Sequence, residues 1–194
     1  MRNIAIFASG SGTNAENIIK YFSTKNSAKV TLVITNKRHA MVLKRAENLG
    51  ITTLFFDRED FYGSVSVLDC LLEHKIDFIV LAGFLWLVPE NIIEKYHGRI
   101  INIHPALLPA YGGKGMFGEA VHRAVIENRD PESGITIHHV NKLYDEGDII
   151  FQARCKVDAH DDHESLAKKV HALEYEHFPR IIEELVSKLT DFRH

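Results

Sequence analysis

The chain has 194 residues, of which 45% are hydrophobic and 25% charged, and its net charge is −3. This length predicts a single domain, residues 1–194, with enough chain to bury a substantial core. The slightly negative charge argues against a nucleic-acid-binding face. The sequence also lacks an apolar run of the ~20 residues that a membrane-spanning helix needs.

The start of the chain and its cysteines indicate where the protein works. The apolar run Ile4–Ala8 is too short for a signal peptide and leads directly into glycines. Cys70 and Cys155 are the two cysteines, and their wide separation fits a reducing compartment better than a disulfide framework. We therefore expect a cytoplasmic protein without membrane or nucleic-acid partners.

The first half of the chain alternates short apolar runs with segments of helical periodicity. This alternation predicts an α/β fold in which a mostly parallel, twisted sheet is covered by helices on both faces. The predicted elements are the strand Asn3–Ala8, the helix Asn14–Phe22, the strand Val30–Thr35, the helix Met41–Leu49, the strand Thr52–Phe56, the helix Glu59–His74, the strand Phe78–Ala82, the helix Pro89–Tyr96 and the strand Arg99–His104.

The second half begins with a loop that contains four glycines, Ala110–Gly118. Two later runs are rich in Ile and Val, and we expect them to pair antiparallel at one edge, which gives a sheet of about seven strands. Asp161 and Glu164 resemble a capping box, and Pro179 ends or kinks the helix that follows. The predicted elements are the helix Glu119–Asn128, the strands Gly134–Val140 and Asp148–Val157, a helix from Asp161, and a last helix Ile181–Leu189.

The stretch Ile101–Pro109 combines a strand end with two polar side chains. In an extended strand Asn102 and His104 point to the same side, and Pro105 ends the strand because it cannot donate to a sheet. An amide and an imidazole at a strand end suit a carbonyl oxygen that becomes negative during a reaction. The alternative for an isolated short motif is that Asn102 and His104 only form hydrogen bonds with the backbone of the turn.

A glycine-rich turn, Ser9–Ala15, follows the first predicted strand and opens a helix. Its N–H groups and the helix N-terminus favour an anion. A small phosphate monoester fits better than a dinucleotide, because no Asp or Glu follows the second strand to bind a ribose. Lys37 and Arg38 leave NADP open, although we expect no nicotinamide cofactor. A tight turn that only caps the helix is the structural alternative.

Several segments together resemble the folate-dependent formyltransferases. Asn102–Pro109 resembles the family signature N-x-H-P-[SA]-L-L-P, with Ala106 where Ser is commoner. Leu81–Val88 is similar to the family's L-A-G-[FY]-[ML] segment, and Leu143–Ile150 to its [LV]-D-x-G-x-[IV]-[IL] segment. The resemblance extends from the first strand to the last helix. It implies a Rossmann-like formyltransferase fold and 10-formyltetrahydrofolate as cosubstrate.

The glycine turn also resembles a family motif, S-G-x-G-[ST]-N. It favours the branch of the family that transfers the formyl group to the amine of 5-phosphoribosylglycinamide in de novo purine biosynthesis, by direct attack of that amine. The partners implied are therefore small-molecule substrates. The sequence leaves a homodimer open.

The resemblance assigns roles to individual residues. Asn102 and a protonated His104 stabilise the tetrahedral oxyanion, and Asp145 keeps His104 protonated because a carboxylate raises the pKa of a nearby imidazole. His138 matches a family histidine that supports this group. The other expected contacts are Gly12, Thr13 and Asn14 with the substrate phosphate, Glu174 with the substrate amine, and Arg58, Leu85, Trp86, Leu87 and Val88 with the folate.

Other functions remain open at this point. A methionyl-tRNA formyltransferase would use the same three catalytic residues but add a basic C-terminal domain. A formyltetrahydrofolate hydrolase would usually add an N-terminal regulatory domain. A phosphate-binding module without catalysis is the alternative from a different class.

Two further segments gave weaker hypotheses. His160–His163 contains two His and two Asp, but adjacent ligands on one loop are a poor metal set and helix capping suffices, so we expect no metal. The loop Tyr111–Gly118 is rich in glycine, which suggests that it closes over the substrate with Lys114 near the phosphate.

Overall fold

The computed structural model describes residues 1–189, and a seven-stranded sheet forms the centre of this part. Its strands are β1 (Arg2–Phe7), β2 (Ala28–Thr35), β3 (Thr52–Phe55), β4 (Phe78–Leu81), β5 (Ile100–His104), β6 (Glu132–His139) and β7 (Ile149–Lys156). Their order is β3-β2-β1-β4-β5-β6-β7. The first five strands are parallel, and the pairs β5–β6 and β6–β7 are antiparallel. This confirms the predicted fold class, although residues 190–194 of the predicted domain lie outside the described residues.

Helices cover both faces because the central strands are apolar on both sides. In β1, Ile4 and Ile6 enter one core while Ala5 and Phe7 enter the other, and all four are fully buried. The helices over the first face are α1 (Thr13–Phe22), α2 (Met41–Asn48), α6 (Glu119–Glu127) and α7 (His163–Ser187), and those over the second are α3 (Arg58–Tyr62), α4 (Ser66–Glu73) and α5 (Glu90–Lys95).

The sheet brings the predicted site together at the ends of its central strands. The chain leaves β1 for β2 on one side, while β4 pairs with β1 on the other, so the strand order reverses beside the glycine turn. Open α/β sheets bind ligands at such a reversal. Across the antiparallel pair, Asn102 lies opposite His138 and His104 opposite Thr136.

The predicted helix Glu59–His74 is wrong, because two short helices, α3 and α4, replace it. Gly63 ends α3, and the hydroxyl of Ser64 donates to the Asp60 carbonyl while it accepts from Ser66 N–H. These side-chain bonds satisfy backbone groups that a continuous helix would need.

The predicted separate last helix, Ile181–Leu189, is also wrong, since α7 is one continuous helix with Pro179 inside it. Proline removes the donor that would bond the carbonyl of Tyr175, four residues earlier. Asn17 of α1 supplies a replacement, because its side-chain amide donates to that carbonyl at 3.0 Å. The start of α7 differs too: Asp162 and Ser165 form the capping box, not Asp161 and Glu164.

Candidate active site

A cavity of about 860 Å³ opens where β1, β4 and β5 end, between the glycine turn and α7. It brings together residues that are far apart in the sequence and that we expected to share a site. Those that line it are Gly12, Thr13, Asn14, Leu85, Asn102, His104, Asp145 and Glu174.

Asn102 is fixed by two hydrogen bonds from its amide nitrogen. This Nδ2 lies 3.1 Å from His138 Nε2 and 3.3 Å from Asp145 Oδ1. The His138 Nδ1 contacts the carbonyl of His139 at 2.7 Å, and because a carbonyl only accepts, Nδ1 carries the proton. His138 is therefore free to accept from Asn102 at Nε2, which agrees with its predicted supporting role.

His104 is 3% exposed and is held from both sides. Its Nε2 lies 2.7 Å from the carbonyl oxygen of Tyr111, and its Nδ1 lies 3.5 Å from Asp145 Oδ2. Burial lowers the pKa of His104 below its ordinary value of 6.5, and the Asp145 carboxylate and the Tyr111 carbonyl offset this only partly. The Asp145 carboxylate raises the pKa of His104 as expected, but burial acts in the opposite direction and has the larger effect.

Asp145 connects the other groups of the site. Burial of its carboxyl raises the pKa of Asp145, but the rings of His138 and His104 in their protonated forms and the N–H of Gly113 outweigh that effect and hold this pKa below its ordinary value. The Gly113 N–H donates to Oδ2 at 3.0 Å. Asp145 has a left-handed backbone, with φ 56°, which aspartate tolerates better than most residues. The site therefore places a carboxylate of lowered pKa beside an imidazole whose pKa is also lowered.

The turn between β1 and α1 offers unpaired N–H groups. Gly12 stands at the helix N-cap with φ 74°, and no side chain caps the helix. The side-chain amide of Asn14 donates one hydrogen bond, from Nδ2 to Glu174 Oε2 at 2.8 Å. The main-chain N–H groups of Gly12–Asn14 and the helix N-terminus offer an anion at this turn its donors.

Glu174 of α7 is buried, with 4% of its surface exposed. Its Oε2 also contacts Nδ1 of His171 at 2.7 Å, and this carboxylate raises the pKa of His171. No hydrogen bond within residues 1–189 reaches Glu174 Oε1 from another side chain or from the backbone. Glu174 thus has one oxygen occupied by Asn14 and His171 and a second that faces a ligand site.

Sequence reasoning missed His171 and His122, which both line the cavity. The spacing of His171 and Glu174, one helical turn apart, was a usable signal. His122 had no such signal, because what distinguishes it is burial. It is 2% exposed, its Nδ1 has no hydrogen-bond partner within residues 1–189, and burial lowers its pKa.

The pKa values of His104 and His171 give a first prediction, because their surroundings act in opposite directions. An NMR titration of the ring signals should show His104 protonating only below pH 6.5, since burial disfavours its charge, and His171 protonating above pH 6.5, since Glu174 favours it. Glu174→Gln should move the His171 midpoint downward. A His104 midpoint above pH 6.5 would contradict the conclusion that burial dominates the pKa of this ring.

The predicted folate residues are only partly at the cavity. Leu85 lines it together with Phe84, but Arg58, Trp86, Leu87 and Val88 do not. Trp86 packs edge-on against Phe61, with ring centroids 5.5 Å apart, and the Arg58 guanidinium lies over the Trp86 ring. Val88 is buried, and the Leu87 carbonyl accepts from the Tyr62 hydroxyl. Of the loop Leu85–Val88, Leu85 therefore lies at the cavity wall, while the side chains of Trp86 and Val88 pack away from it.

The two weaker hypotheses fare differently. The Tyr111–Gly118 loop contributes Gly113 and Gly115–Gly118 to the cavity wall, but Lys114 is exposed and does not line it. The Lys and Arg side chains at the wall are Arg123 and Lys168.

Within residues 1–189, no group of three or more His, Cys, Asp or Glu is arranged to hold a metal ion. None of the described helices has the length and apolar character to cross a membrane.

Comparisons with known proteins agree with the geometry. The sequence is 34% identical to the phosphoribosylglycinamide formyltransferase of Bacillus subtilis, over 96% of this chain and 95% of that protein. It is 40% identical to the chloroplastic phosphoribosylglycinamide formyltransferase of Arabidopsis thaliana, over 87% of this chain but 60% of that protein. The crystal structure of the phosphoribosylglycinamide formyltransferase from Bacillus halodurans superposes with a TM-score of 0.87 at 36% identity, over 98% of both chains.

The family model described as formyl transferase matches residues 2–182. That match contains the turn after β1, the Asn102–His104 strand end, Asp145 and Glu174. The chain therefore belongs to the formyl transferase family.

Proposed function

We propose that this chain, as one formyltransferase domain, transfers a formyl group from 10-formyltetrahydrofolate to the amine of 5-phosphoribosylglycinamide in de novo purine biosynthesis. The observation that carries the proposal is the convergence of Asn102, His104 and Asp145 on the cavity that also contains the N–H groups of the glycine turn. The names of the relatives from Bacillus subtilis and Arabidopsis thaliana support the choice of acceptor.

The phosphate of the acceptor occupies the N-terminus of α1. Gly12, Thr13 and Asn14 bind it through their main-chain N–H groups, which lack intrahelical partners at the N-terminus of α1. Glu174 Oε1 then accepts a hydrogen bond from the substrate, at its amine or at a neighbouring donor.

The folate lies against the loop at Leu85, whose N–H donates to Ser9 Oγ at 3.0 Å. We propose backbone contacts from Leu85–Val88, with the side chains of Trp86 and Arg58 holding the loop rather than the ligand. No metal and no nicotinamide takes part in the proposed reaction. A cytoplasmic location and a homodimer stay predictions.

The reaction begins when the amine nitrogen attacks the formyl carbon and the formyl oxygen becomes negative. Asn102 donates to that oxygen with the N–H that otherwise makes the longer bond, 3.3 Å, to Asp145. His104 in its neutral form takes a proton from the attacking nitrogen at Nδ1 and becomes an imidazolium beside the Asp145 carboxylate. It returns the proton to N10 of the folate as the bond between N10 and the formyl carbon breaks.

A coupled assay tests the function. The purified protein is given 10-formyltetrahydrofolate with 5-phosphoribosylglycinamide, with a sugar-nucleotide amine, or with no acceptor. We expect tetrahydrofolate to form only with 5-phosphoribosylglycinamide, in equal amount to the formylated product. Turnover without an acceptor would instead indicate a hydrolase, and absence of turnover with every acceptor would indicate a binding protein.

Gly12→Ala gives a second prediction. A Cβ at this position would lie 2.5 Å from Val42 Cβ, on a backbone with φ 74°. We expect a loss of roughly 2–4 kcal/mol in the free energy of unfolding and a KM for 5-phosphoribosylglycinamide raised about tenfold, which corresponds to one lost anion contact. Denaturant unfolding and steady-state kinetics measure the two effects.

Gly98→Ala is the matched control, because Gly98 has φ 69° but open space around it. It should cost stability through the backbone alone and leave both KM values unchanged. If Gly12→Ala raised the KM for the folate instead, the phosphate assignment would be wrong.

A further inference from the structure

We propose that the main-chain carbonyl of Tyr111 selects the working nitrogen of His104. It holds the ring with the proton on Nε2, so that Nδ1 is the nitrogen that takes up and releases a proton. The role of Nδ1 in transfer rests on the proposed function, whereas the tautomer is a property of the free protein. Tyr111 is thus a positioning residue that does not contact substrate.

In its neutral form the His104 ring carries one proton, and two acceptors compete for it. The Tyr111 carbonyl lies 2.7 Å from Nε2, and the Asp145 carboxylate lies 3.5 Å from Nδ1. A carbonyl has no proton to give, so the short contact requires a proton on Nε2, and hydrogen bonding at one nitrogen decides the state of the other. The shorter distance therefore assigns the Nε2–H tautomer and leaves the Nδ1 lone pair facing Asp145.

Tyr111 reaches His104 through an unusual backbone conformation. Its φ is 57°, in the left-handed region that residues other than glycine rarely adopt. Two hydrogen bonds hold its phenol: the hydroxyl donates to Asp130 Oδ2 at 2.5 Å and accepts from Asn128 Nδ2 at 2.7 Å. Since both partners follow α6, the body of the protein fixes the carbonyl from outside the site.

The same short segment also positions the carboxylate. Two residues after Tyr111, the N–H of Gly113 donates to Asp145 Oδ2 at 3.0 Å. Between them Gly112 is tightly packed, because a Cβ there would lie 2.7 Å from Leu108 Cδ2 and 3.4 Å from Asp145 Cβ. The segment 111–113 therefore sets both partners of the proton-transferring pair.

Removal of the Tyr111 hydroxyl should release the Tyr111 carbonyl from its position beside His104. Once the carbonyl moves away, the Asp145 carboxylate becomes the better acceptor and draws the proton to Nδ1, which can then no longer accept one from the amine. The ring also loses a group that favours its protonated form. The other charged groups that act on His104 are Asp145 and His138, beside its ring, and Glu174 of α7, and all three remain in place.

The test is the tautomer of His104, read from long-range ¹⁵N–¹H NMR spectra of the ring in the free protein. His104→Gln assigns the signals. We expect the Nε2–H form in the wild type, and in Tyr111→Phe a mixture with the Nδ1–H form and a midpoint of protonation at lower pH. An Nδ1–H ring in the wild type would overturn the proposal, as would a Tyr111→Phe ring identical to that of the wild type.

Three variants, at Tyr21 and Asp130, separate positioning from general structure. Tyr21 is the matched control: its hydroxyl donates to Glu183 Oε2 at 2.5 Å, and it does not line the cavity. Tyr21→Phe should leave the His104 tautomer unchanged. Asp130→Asn keeps an oxygen that can accept from Tyr111, and it should restore the Nε2–H form that Asp130→Ala loses. A shift of the tautomer in Tyr21→Phe would overturn the proposal.

Kinetics supply the second readout. For Tyr111→Phe we expect kcat about tenfold lower, the usual effect of one lost hydrogen bond, with both KM values unchanged. Unchanged kcat together with a changed tautomer would show that Nδ1 is not the working nitrogen. Because the NMR result needs no substrate, it stands even if the protein proves to use another acceptor.

Discussion

Replacement of His104 by alanine is expected to lower kcat by about 100-fold or more, because a positioned general base and acid typically contributes 10²–10⁴ to the rate. The ring takes a proton from the amine and delivers it to N10, and alanine has no group that can accept or donate a proton. Single-turnover measurements with 10-formyltetrahydrofolate at saturating acceptor give the rate of the chemical step.

His97→Ala is the control for this experiment, since His97 is exposed and does not line the cavity. It should retain the wild-type rate. If the His104→Ala protein also turned over at that rate, while its unfolding midpoint stayed normal, the proton-transfer role assigned to His104 would have to be abandoned.

Asp145→Asn should have the largest effect, with kcat lower on the order of 10³-fold. The carboxylate accepts from Gly113 at Oδ2 and from Asn102 at Oδ1. An amide accepts with only one of its two atoms, so its NH₂ group must face a donor. The variant also loses the charge that stabilises the imidazolium during transfer.

The neighbouring Glu146→Gln provides the control, because Glu146 is an exposed acid in the same loop. Isothermal titration with 5-phosphoribosylglycinamide separates binding from chemistry. We expect both variants to bind this substrate nearly as the wild type does, since the glycine turn is unchanged. A loss of binding that matched the loss of kcat in Asp145→Asn would mean that the carboxylate holds substrate rather than the imidazole.

Hydrophobic periodicity was sufficient to predict the fold, because buried parallel strands and amphipathic helices leave strong patterns. The errors occurred where side-chain hydrogen bonds replace backbone ones. Ser64 allowed a break inside Glu59–His74, and Asn17 allowed α7 to continue through Pro179. Both effects depend on contacts that periodicity does not record.

The site was predictable as far as it depends on residue identity. The motif containing Asn102 and His104 and the segment containing Asp145 gave the central group, and the structure brings them together. The protonation of His104 was not predictable, because it depends on how much burial opposes the neighbouring charge. The contact of the Tyr111 carbonyl with His104 was not predictable either, because every residue has a main-chain carbonyl.

The aromatic cluster behind the folate loop has a practical consequence. The sequence contains one tryptophan, Trp86, and it immediately follows Leu85 at the cavity wall. All indole emission from this chain therefore originates beside the proposed folate site, next to Phe61 and Tyr62. The protein carries its own fluorescent reporter, and occupancy of that site can be followed without an attached dye.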